Sequence, residues 1–149
     1  MNVAAQYGLP LSPAPLPAQP QRSSAAYQVE LVRRLVSTMM VGQMHAQFDD
    51  VAYLFRTLST MLGDNRHLRI TLALASAIGG ETQPARELLT EGMDDWPGAE
   101  SAKISVALAL KIAGDPEWIR LCEETLAVSN DGDARRFARQ LLDQADSRT

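Results

Sequence analysis

The chain is 149 residues and 16.3 kDa, with a net charge of −4 and a pI near 5.1. That is one domain plus a tail, and the acidic balance without a basic stripe argues against a protein that tracks nucleic-acid phosphates. Hydrophobic residues make up 46% but aromatics only 5%, a balance rich in Ala and Leu that suits packed helices better than a β-sandwich.

Residues 1–23 form a proline-rich arm, holding Pro10, Pro13, Pro15, Pro17 and Pro20. Proline removes backbone donors and favours extended neighbours, so a disordered leader is expected there. Its two P-x-x-P spacings occur readily in any such tail. The segment lacks the positive start and unbroken apolar core of a secretory signal. No run of 18 apolar residues occurs in the chain. Stable membrane insertion is therefore not expected. The expected location is the cytoplasm, and export without a standard signal peptide stays open.

Helical periodicity begins at Ser23 or Ser24, with Val29, Val32, Val36 and Met39 at three- and four-residue spacing and Leu31 and Leu35 beside them. Gly42 predicts a bend or a close helix contact. Asp49 or Asp50 is expected to cap a second helix with the stripe Val51, Leu54, Phe55, Leu58, Met61 and Leu62, stopped at Gly63-Asp64-Asn65. Leu68, Leu72 and Ala75 anchor a third helix that Gly79-Gly80 ends. Thr82 is the expected cap of the fourth, with Pro84 just inside it and Leu88, Leu89 and Met93 apolar.

Trp96-Pro97-Gly98 breaks the chain, and a fifth helix starts near Ala99. Its residues Ile104, Val106, Ala107, Leu108 and Leu110 are apolar on most sides, which predicts a central position. Gly114 ends it, Asp115 caps the sixth helix, Pro116 opens it, and Ile119, Cys122 and Leu126 form its stripe. A seventh, from about Asp133 to Gln144, sets Phe137, Ala138, Leu141 and Leu142 against Arg135, Arg136 and Arg139. One apolar and one solvated face is what a terminal cap requires.

An echo at 34 residues ties these helices together: Ala73 recurs as Ala107, Gly80 as Gly114, Leu72 as Val106 and Leu88 as Cys122. That period on helical patterns is the mark of tetratricopeptide-type helix pairs. The expected fold is all-α: a tetratricopeptide-like helical repeat solenoid over 24–146, of about three helix pairs plus a C-terminal capping helix. The units run about 32–65, 66–99 and 100–133, the first fitting least well.

Chemistry is sparse. His45 and His67 stand in no metal-ligand spacing with Cys, Asp or Glu. The pairs Asp49-Asp50 and Asp94-Asp95 are adjacent on helices, where neighbours point apart rather than forming an acid/base couple. Gly79-Gly80 has no G-K-[ST] after it. Cys122, the one cysteine, precludes an intrachain disulfide and falls on an apolar side, as a small buried hydrophobe would. The expectation is a non-enzyme with no catalytic residue, metal or cofactor.

Met39, Met40 and Met44 cluster late in the first helix. Methionine is adaptable and is overused on surfaces that accept hydrophobic helices, though part of the run must face the core. A groove lined by the helices around 28–44, 66–78 and 99–113 would present Ala, Leu, Ile and Met to an amphipathic partner helix. Met40, Met44, Leu72 and Ile104 are its candidate partner-binding residues.

The run Ala107-Leu108-Ala109-Leu110, then Gly114-Asp115-Pro116-Glu117-Trp118, Leu126, Asp133-Ala134 and Ala138-Arg139-Gln140-Leu141-Leu142 resembles the small tetratricopeptide-like accessory proteins of bacterial type III secretion. The resemblance is to the Hrp B-one/Hrp K family of plant-associated bacteria in particular, over roughly residues 28–142. The chain is also similar to the needle-subunit co-chaperones of animal-pathogen systems. Either resemblance implies a non-enzymatic, chaperone-like part that binds a small helical secretion subunit, needle or inner rod, or its co-chaperone. Arg69, Ser76 and Glu123 stand where the general repeat has aromatics, so no binding residue is carried over by position. The alternative is a generic repeat scaffold or regulator outside secretion.

Overall fold

Among the described residues seven α-helices follow one another: α1 Ser24–Met44, α2 Phe48–Leu62, α3 Arg66–Ile78, α4 Gln83–Glu91, α5 Ala99–Ile112, α6 Glu117–Val128 and α7 Gly132–Asp146. The computed structural model describes residues 24–147, and no strand occurs among them. The arm expected over 1–23 lies outside the described residues. By contacts the chain divides within α1 into Met1–Val32 and Arg33–Thr149. Of the first unit, the described turns of α1 expose Tyr27 and Val29. All that follows concerns the second.

The apolar periodicity places the helices much as the sequence predicts. α3 packs on α4 and α5, α5 on α4, α6 and α7, and α6 on α7. The helix expected to be central, α5, buries Ala102, Ile104, Val106, Ala107, Ala109 and Leu110. A contiguous core runs from Ile70 through these residues and Trp118, Leu121 and Cys122 to Ala138 and Leu141. Alanines at 73, 77, 102, 107 and 109 are almost inaccessible to solvent, which lets the helices approach closely. Gly42 serves the same end: a Cβ there would meet Val51 Cγ2 at 3.0 Å.

The 34-residue echo is structural. Helices α1, α3 and α5 end at Met44, Ile78 and Ile112, each 34 residues after the last. Each closes with the same turn. Gln47 N–H donates to Gly42 O at 2.9 Å, Glu81 N–H to Ser76 O at 3.0 Å, and Asp115 N–H to Leu110 O at 2.9 Å. Between them Ala46, Gly80 and Gly114 take φ of 57°, 85° and 80°. This is a Schellman closure, whose left-handed residue is ordinarily glycine. In the first of these turns alanine stands where the other two have glycine.

Helix starts depart from expectation in detail. Asp49 and Asp50 do not cap α2; they sit in its first turn behind Gln47, where their charge favours the helix N-terminus. Thr82 is at the N-cap of α4 but makes no side-chain capping bond. Asp115 caps from one residue further upstream, accepting from Glu117 N at 3.1 Å, so Pro116 precedes α6 rather than opening it. Asp131 caps α7, accepting from the N–H groups of Asp133 and Ala134. Met93, read as part of α4, lies beyond its end at Glu91 but is buried all the same.

The stripe of α6 is rotated from the one predicted. Trp118, Leu121, Cys122 and Thr125 are buried, while Ile119 is 40% exposed. Trp118 wins the core because its ring buries more area than an isoleucine and takes Lys111 Nζ at 4.6 Å from its centre. On α7, Ala138 and Leu141 are buried but Phe137 is 39% exposed. Arg135 turns inward rather than to solvent, donating to Leu126 O at 2.6 Å and Ser129 O at 3.3 Å, where it ties the end of α6.

Candidate partner-binding face

Near their C-terminal ends Gln43 Nε2 of α1 donates to Ser76 Oγ of α3 at 2.9 Å, and α3 packs along α5. Residues four, three and four apart share one face of a helix. On α1 that face carries Arg33, Ser37, Met40 and Met44; on α3, His67, Thr71, Leu74 and Ile78; on α5, Ser101, Ser105, Leu108 and Ile112. These are the same positions at 34-residue intervals. None of the twelve is buried.

The face is graded along the helices. Ser37, Thr71 and Ser105 each donate to the carbonyl four residues back, at 2.9 to 3.0 Å. Their hydroxyl protons are thereby spent within the helix, leaving only acceptor capacity. Met40, Leu74 and Leu108 come next and are half-buried. Met44, Ile78 and Ile112 follow, 48%, 54% and 46% exposed. Behind them, Met39, Ala73 and Ala107 are sealed from solvent. So of the three-methionine run, Met39 fills the core and Met40 and Met44 belong to the face.

The four candidate residues do not all come together. Met40 and Met44 lie on this face. Ile104 is buried in α5 and lines one wall of a shallow cleft of about 420 Å³ against α7, shared with Ser101, Ser105, Phe137 and Gln140. Leu72 is half-buried and two residues from Leu74, about 200° around α3, so it points away from the face. Leu74, Ile78, Leu108 and Ile112, on the same face, were not among the four candidates. Adding 34 and 68 to the numbers of Met40 and Met44 would have found them.

The electrostatics of the second unit are those of a helical frame. Arg66 holds the Asp64 carboxylate down to about 2 by a side-chain hydrogen bond, and Arg69 lowers that of Glu91 in the same way across α3 and α4. Arg86 pairs with the buried Asp115 at 2.5 Å. Burial raises the Cys122 thiol to about 11, which leaves it protonated and unreactive at neutral pH. No cluster of His, Cys, Asp and Glu that could hold a metal occurs among the described residues. No helix among them is long and apolar enough to cross a membrane.

The described residues form an all-α chain whose first, third and fifth helices leave apolar side chains exposed at equivalent positions. The chain belongs to the bacterial type III secretion protein family HrpB1_HrpK, whose pattern it matches over residues 23–147. No curated protein and no solved structure matches it.

Proposed function

We propose that this type III secretion protein is a non-enzymatic, chaperone-like component that holds a small helical needle or inner-rod subunit in an apolar groove. The groove is the shared face of α1, α3 and α5 in a tetratricopeptide-like solenoid of three helix pairs, with α7 as its cap. The observation that carries this reading is the 34-residue recurrence of Met44, Ile78 and Ile112, all large, apolar and exposed. Scattered surface hydrophobics need no explanation, but a set at one repeat position does. Membership in the secretion family favours a secretion subunit over a partner of a generic scaffold.

The physical logic is that of covering a polymerisation surface. A protomer that self-assembles through an apolar helical stripe is protected when that stripe leaves water, at about 25 cal/mol per Å². Association entropy and side-chain ordering offset much of the gain, so the subunit can be released when assembly begins. On this reading the protein acts in the cytoplasm, before or during assembly.

A pull-down of the full-length protein from its native bacterium, read by mass spectrometry, tests this. A small needle or inner-rod subunit should be recovered, and the double variant Met40→Glu, Met44→Glu should lose it while the helical circular dichroism is kept. Unchanged capture by that variant would remove the groove; recovery of no secretion component would remove the function.

A further inference from the structure

We draw no further inference here: the strongest candidate, the apolar surface patch of Met44 on α1, Ile78 on α3 and Ile112 on α5, belongs to the face already described, and nothing in the structure shows what covers it.

Discussion

Ala46 is the residue at which this chain departs furthest from its own local preferences. It holds φ of 57° where its two repeat counterparts are glycines. A left-handed alanine costs about 1–2 kcal/mol, of which glycine's greater freedom in the unfolded chain returns about 0.4–1. Ala46→Gly should therefore stabilise the protein by about 0.5–1 kcal/mol, seen as a higher urea midpoint with an unchanged slope. Gly114→Ala should do the reverse by about 1 kcal/mol, since a Cβ there meets nothing within 4 Å and only backbone strain is added. Cys122 makes a different prediction. Its thiol is raised by burial from 9.0 to about 11, so between those values the unfolded chain has released a proton that the folded one retains. The folded state then binds more protons, and stability falls as pH rises through that window. Urea midpoints measured from pH 8 to 11 should drop less steeply in Cys122→Ala than in wild type.

Helices succeed or fail here on small residues at crossings. Ala107 is sealed on α5, and Ala73 occupies the same place on α3. Ala107→Leu should force the packed helices apart and cost about 1–3 kcal/mol in thermal or urea unfolding, while helix content survives. A second joint ties α4 to the start of α6. Asp115 accepts from Glu117 N–H and from Arg86 Nε at 2.8 Å. Asp115→Ala removes the cap and leaves the turn unpaired, and should cost about 1–2 kcal/mol. Asp115→Asn keeps an oxygen for the cap and should cost about half as much. Equal losses in the two variants would mean that the charge, rather than the cap, holds this turn.

Across the whole second unit, stability is unevenly spread. The contiguous core draws its buried residues from Ile70 to Leu141, whereas Met39, Val51 and Leu58 of α1 and α2 are buried outside it. Helix α2 also exposes Phe48, Tyr53, Met61 and Leu62. Segments with few core contacts open first. Native-state hydrogen exchange should show amides of α2 exchanging through a lower-energy opening than those of α5. Equal protection would mean that the first helix pair and the rest unfold as one.

The number and type of the helices were legible because each is a self-contained periodic signal: apolar residues at three and four, closed by Gly63, Gly80 or Gly114. The 34-residue spacing of the ends of α1, α3 and α5 was legible too, since a fixed interval needs no knowledge of contacts. Of the four candidate residues, Met40 and Met44 share the exposed face, Ile104 is buried beside the cleft against α7, and Leu72 lies on another side of α3 from Leu74. Periodicity marks an apolar stripe without saying which edge of it meets the core and which meets solvent. That choice is made by neighbours. Trp118 takes the core position that Ile119 was expected to fill, and Arg135 turns in to reach the carbonyls at the end of α6. Sequence alone determined the helices and the 34-residue interval at which their ends recur; only tertiary packing decided which apolar residues remain at the surface, because burial depends on the volume a neighbouring helix leaves.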